Sequence, residues 1–187
     1  MYVPIVIGSL RQGRNTPRLA RFLHNRLESR GVETQLFDPR EMALPVLEER
    51  LRLLENPPSA LVEFGAAIDR ADAVIIATPE YNKGYPAALK NMIDALGAEW
   101  KRKPLGIVAH SVGAFGGGQV LQALRLVMLN LGAVPIPASM TVPHIDKTFD
   151  ADGAATDPAF NDRGDRFLDE LLWFADALAV ARAASSD

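Results

Sequence analysis

Nine residues, GSLRQGRNT at positions 8–16, gather the groups that hold a phosphate. Ser9, Asn15 and Thr16 supply polar donors, Arg11 and Arg14 supply charge, and the glycines let backbone come close. The stretch leaves an apolar run at 3–7 and enters a helix start. Free N–H groups and the macrodipole at such a start favour an anion. No Gly-Lys-Ser/Thr follows and no GxGxxG is present, which disfavours an NTPase and an ordinary dinucleotide site. A single phosphate monoester fits. A plain turn and N-cap with surface arginines is the competing reading.

A second polar stretch, TPEYNKGYPAALKN at 78–91, follows the apolar run ADAVIIA. Pro79, Glu80, Tyr81 and Asn82 offer backbone groups and an aromatic ring, and Tyr85 adds another ring. A flat polar heterocycle can hydrogen-bond its edge to such a loop and lay its face on neighbouring side chains. Glu80 is a general base by type, but no acid/base partner is visible, so a solvated or ion-paired carboxylate is the favoured reading. Lys90 and Asp94 are spaced to pair on one helix face. A third stretch, SVGAFGGG at 111–118, carries four glycines in six residues, which permits close backbone approach. A flexible linker is the alternative there.

The elements around these loops alternate. Strands are expected at 3–7, 32–37, 73–77, 105–109 and 134–137, with the second an edge and Pro4 at the first strand's start. Helices are expected at 16–31, 58–71, 86–96, 119–131 and 161–183, with Thr16 as the N-cap and Pro17 at the first helical position of the first. Residues 38–57 read as a long surface segment with a helical turn near 48–54. A proline-containing loop should run to about residue 158, and 184–187 should fray. Five strands alternating with helices predict an α/β fold with a parallel sheet covered on both faces. The natural order is 2-1-3-4-5, a flavodoxin-like doubly wound sheet. Ligands then sit at the carboxyl ends of strands 1, 3 and 4, where the three loops lie.

Bulk properties narrow the classes further. The 187 residues fit one domain, 1–187, and 48% are apolar. A net charge of −3 argues against nucleic acid as a partner. There is no cysteine, so thiol nucleophiles and thiolate metal sites are excluded, and three scattered histidines suggest no metal site. The apolar start is short and lacks a basic region, so it reads as a strand, not a signal peptide. No run reaches bilayer length. A cytoplasmic protein without a membrane partner is the default expectation.

A phosphate site at strand 1 with planar-ring sites at strands 3 and 4 describes flavin mononucleotide (FMN). The sequence resembles the NAD(P)H-dependent FMN reductase family, the group with flavodoxin-like quinone, azo-dye and chromate reductases. The resemblance rests on GSLRQGRNTPRLA at 8–20, TPEYNKGYPAALKNMIDAL at 78–96, SVGAFGGGQVLQALR at 111–125 and LGAVPIPASMTVPH at 131–144. It implies that Ser9, Arg11, Asn15 and Thr16 hold the FMN phosphate. Pro79, Glu80, Tyr81 and Asn82 would line the isoalloxazine, and Ser111, Gly113 and Gly116 would close the far side. Family members often carry Trp where this chain has Ala95, with Trp100 further on; that departure concerns the neighbouring pocket or a subunit contact.

The expected activity is hydride transfer from NADPH or NADH through FMN to a small acceptor, in a ping-pong cycle. The cofactor carries the chemistry, so no catalytic side chain is named. The helix at 119–131 is apolar on more than one face: Val120, Leu121, Leu124 and Val127 suit the sheet, while Leu126 and Leu129 are left over. With the family's habit, this implies a homodimer or homotetramer. The rival functions are a flavodoxin-like electron carrier and a scaffold that has lost the cofactor.

Overall fold

The computed structural model describes residues 1–184; past Ala184, the tail expected to fray lies outside the described residues. The strands are β1 (Ile5–Ile7), β2 (Leu36–Phe37), β3 (Val74–Pro79), β4 (Pro104–His110) and β5 (Val134–Val142). All pairings are parallel, in the order β2-β1-β3-β4-β5. The flavodoxin-like order expected from the alternation is therefore the one observed. The helices are α1 (Thr16–Glu28), α2 (Pro39–Met42), α3 (Ser59–Arg70), α4 (Ala87–Asp94), α5 (Gly118–Asn130), α6 (Ile145–Thr148) and α7 (Ala159–Ala183).

Every residue of β3 and β4 is buried. Strands covered on both faces need apolar residues throughout, which is why VIIATP and PLGIVAH do not alternate. On one face Val74, Ile76, Leu105 and Ile107 pack with Phe64 and Ile68 of α3, Leu89 and Ile93 of α4, and Leu124 of α5. On the other, Ile5, Ile75 and Val108 pack with Leu19, Leu23 and Leu27 of α1 and Leu168 and Leu171 of α7. Each such side chain is worth about 1.5–3 kcal/mol when fully buried. Trp100 is fully buried, 6.1 Å from Phe64 between ring centres, and its Nε1–H donates to Ile93 O at 3.1 Å. It is a core residue, not part of a subunit contact.

Several boundaries differ from expectation for physical reasons. β1 begins at Ile5, so Pro4 precedes the strand; its carbonyl accepts the Ile75 N–H at 3.0 Å. The N-cap of α1 is Asn15, and Thr16 is already helical. The 38–57 segment contains α2, started by Asp38, whose carboxylate accepts the Arg40 N–H at 2.8 Å, with Pro39 at the first helical position. β5 runs to Val142, past Pro135 and Pro137; it is an edge strand, where proline leaves no ladder bond unmade. A short helix, α6, occupies part of the expected 138–158 loop.

Candidate functional site

The carboxyl ends of β1, β3 and β4 open on one cavity of about 390 Å³. It is lined by Ser9, Arg11, Gln12, Gly13, Arg14, Asn15, Thr16, Pro79, Glu80, Tyr81, His110, Ser111, Val112 and Ile145. Two strands must pass close for this. A Cβ on Gly8 would lie 2.9 Å from Thr78 Oγ1 and 3.2 Å from Ala77 O, so only glycine lets the loop leave β1 against β3.

The loop after β1 ends at α1. No acceptor among the described residues meets the backbone N–H of Gln12, Gly13, Asn15 or Thr16. Ser9 is fully buried, and its Oγ lies 2.8 Å from the Tyr81 hydroxyl. Arg11 is exposed, with its guanidinium carbon 5.9 Å from the centre of the Tyr81 ring. Arg14 is not available to a ligand in the same way: it forks onto Asp38, with both N–O distances at 2.6 Å. By residue type the two arginines are alike. The structure separates them.

Thr16 is buried, and its Oγ1 lies 2.7 Å from Nε2 of His110. His110 closes β4 and is 4% exposed; Nδ1 has no hydrogen-bond partner. Burial alone lowers its pKa from 6.5 to about 4, so the imidazole is neutral at physiological pH.

The loop after β3 is a tight hairpin. Tyr81 and Gly84 exchange N–H···O bonds of 2.9 Å, and Asn82 (φ 50°) and Lys83 (φ 67°) are both left-handed. Two such residues make the turn that asparagine favours. Glu80 does something sequence reasoning did not foresee. Its Oε2 accepts the N–H groups of Gln119 at 2.8 Å and Val120 at 3.0 Å, capping α5 from 39 residues away. The carboxylate stays partly exposed, but as a helix cap it is not a free base. Lys90 and Asp94 pair along α4, as their spacing predicted.

Of the residues singled out from sequence, Ser9, Arg11, Arg14, Asn15, Thr16, Pro79, Glu80, Tyr81 and Ser111 line this cavity. Asn82 sits exposed in the hairpin turn, Gly113 lies in the exposed tip after β4, and Gly116 is packed behind it against Val142 and Pro143. Sequence reasoning gave no binding role to Gln12, Gly13, His110 and Val112 within its loops, and missed Ile145. The position of His110 at the end of a buried strand was the available signal. A larger cavity, about 630 Å³, lies between residues 38–58 and α4. Its walls are mainly apolar, including Leu10, Leu44, Val46, Tyr85 and Met92. It lacks the row of unpartnered amides, so the smaller cavity is the candidate site.

Among the described residues no group of three or more His, Cys, Asp or Glu side chains is placed to hold a metal, and no helix is long and apolar enough to cross a membrane.

A flavodoxin-like sheet whose first-strand loop presents unpartnered amides to a crevice closed by two further loops has the form of a nucleotide-type cofactor site of the doubly wound class. The comparisons narrow this. The model of the NADPH-dependent FMN reductase family matches residues 1–147, and the chain belongs to that family. It is 32% identical over 164 residues to the NAD(P)H-dependent FMN reductase of Saccharomyces cerevisiae, covering 76% of this chain and 84% of that one. It is 27% identical over 175 residues to the FMN-dependent NADPH-azoreductase of Staphylococcus aureus, covering 91% and 93%. Among solved structures it is similar to a flavoenzyme NAD(P)H:acceptor oxidoreductase of Paracoccus denitrificans, with a TM-score of 0.75, 27% identity and coverage of 95% and 97%.

Proposed function

We propose that the chain, as one domain over 1–187, holds FMN in the 390 Å³ cavity and passes hydride from NADPH or NADH to a small acceptor. The observation that carries this reading is the row of unpartnered amides at the start of α1, beside the exposed guanidinium of Arg11. That is the donor set of a phosphate cradle. Bound FMN would supply the hydride chemistry, accepting from the nicotinamide and donating to the acceptor in a ping-pong cycle.

The protein's own residues bind and orient. The N–H groups of Gln12, Gly13, Asn15 and Thr16, with Arg11, would take the phosphate. Ser9 and Tyr81, bonded to each other, fix the wall between phosphate and ring. Pro79, Glu80 and Tyr81 would present backbone to the ring's polar edge, with Asn82 at the rim; the Glu80 carboxylate meanwhile holds α5 in place. Ser111 and Gly113 would close the far side, and Gly116 would set the path of that loop. The acceptor class stays among quinones, free flavin, azo compounds and metal oxyanions. The setting we propose is the cytoplasm, with neither membrane nor nucleic acid as partner.

The test is spectral. Purified protein is expected to be yellow, or to turn yellow with added FMN, and to bleach within seconds under anaerobic NADPH or NADH. Protein that never binds FMN sinks the reading. Yellow protein that neither nucleotide bleaches points to an electron carrier.

Assembly is part of the proposal. Leu126 and Leu129 on α5 are 72% and 57% exposed, while Val120, Leu121, Leu124 and Met128 on its other face are buried. An apolar stripe this bare supports a homodimer or homotetramer. Gel filtration at micromolar concentration is expected to return one of these, and a stable monomer would refute it.

A further inference from the structure

Three consecutive carbonyl oxygens in the loop after β1 are engaged by two guanidinium groups. Ser9 O accepts from Nη1 of Arg14 at 2.5 Å. Leu10 O and Arg11 O accept from Nη2 of Arg40 at 3.0 and 3.3 Å. Both arginines are fixed by Asp38. Its carboxylate takes the fork of Arg14, and Oδ1 also accepts the backbone N–H of Arg40. The Arg14 and Asp38 side chains are each only 10% exposed, so water competes little for the pair.

A trans peptide points its C=O and the next residue's N–H in opposite directions. Anchoring the carbonyls of Ser9, Leu10 and Arg11 therefore turns the N–H groups of Leu10, Arg11 and Gln12 the other way. Ser9, Arg11, Gln12 and Arg14 line the candidate cavity, whereas Asp38 and Arg40 do not, and of the three amides that of Arg11 is already held by Ser9 Oγ at 3.3 Å, which leaves that of Gln12 for a ligand. Left free, this loop could rotate a carbonyl into the cavity, where it would repel an anion.

We infer that Asp38, Arg14 and Arg40 form a clamp that sets the peptide planes at the entry of the phosphate loop, so that the Gln12 amide hydrogen faces the anion and no carbonyl of residues 9–11 does. The inference rests on the FMN reading above. The three are positioning residues, and Arg11 alone supplies the charge that meets the phosphate.

The deciding variant is Asp38→Asn, because charge and clamp predict opposite signs. It removes a negative charge beside an anion site, so simple electrostatics tightens FMN binding. The clamp loses its charge-assisted fork, and FMN affinity is expected to fall about tenfold. Riboflavin has the same ring and no phosphate, and its affinity is expected to stay within about twofold. Arg40→Met, at an exposed position, should reproduce the loss with little risk to folding. Flavin fluorescence titrations of both ligands read all of this. Unchanged or tighter FMN binding overturns the clamp, and so does equal weakening of FMN and riboflavin, which would mean general damage. Wild-type protein that binds neither flavin overturns the FMN reading and the clamp together.

Discussion

Acidification from 6.5 to about 4 is expected to cost the fold about 3 kcal/mol through His110 alone. The sign follows from where the proton goes. Burial lowers the folded-state pKa, so in this interval the unfolded chain takes up a proton that the native protein refuses. Above 6.5 neither state is charged at this ring and the group is silent. Below about 4 both are charged and the loss stops growing. No carboxylate offsets the effect: the side-chain partner is the Thr16 hydroxyl, and Nδ1 has none. Urea midpoints for wild type and His110→Gln, at neutral pH and near pH 4, isolate this contribution, since Gln does not titrate and the carboxylates cancel in the difference. The variant is expected to lose about 3 kcal/mol less on acidification than wild type does. Equal losses in the two proteins would refute the buried neutral imidazole.

The fold is legible in the sequence because its signals are local and repeated. Short apolar runs such as ADAVIIA, rich in β-branched residues, suit strands buried on both faces, and their alternation with helical spacing leaves few topologies. The departures turn on proline. By residue type Pro39 belongs to an irregular segment, yet Asp38-Pro39 is a helix start whose cap bond the structure supplies. Pro135 and Pro137 argue for a short β5, yet an edge strand tolerates both. Edge position is a property of the sheet, so the residues alone do not announce it.

The candidate site is legible as three loops but not as a set of roles. Residue type says that Arg11 and Arg14 can each meet an anion. Only the fold brings Asp38 against Arg14 and leaves Arg11 over Tyr81. Glu80 likewise looks like a base in sequence, and becomes a helix cap because the loops after β3 and β4 are neighbours. His110 counts in the sequence only as one of three scattered histidines, since a lone histidine carries no spacing signal. The missing information in each case is which polar groups satisfy one another, and long-range contacts decide that.

The run Gly116-Gly117-Gly118 puts this to a sharp test, since three identical letters have unequal jobs. Gly116 has φ +62°, and a Cβ there would lie 2.8 Å from Pro143 N and 3.0 Å from Val142 C. Both obstacles are backbone where the chain leaves β5, so neither can swing aside. Gly116→Val adds a β-branched residue in the left-handed region, about 1–2 kcal/mol, and overpacking of about 1–3 kcal/mol, for a total near 3 kcal/mol. Gly118 is the first residue of α5, and a Cβ there would have no neighbour within 4 Å, so Gly118→Ala is expected to be neutral or to stabilise by up to about 1 kcal/mol. Denaturant midpoints of the two variants should differ by roughly 3–4 kcal/mol. Similar midpoints would mean that the loop after β4 is a linker able to relax around either side chain, and its claim to shape the far wall of the flavin site would fall with that result.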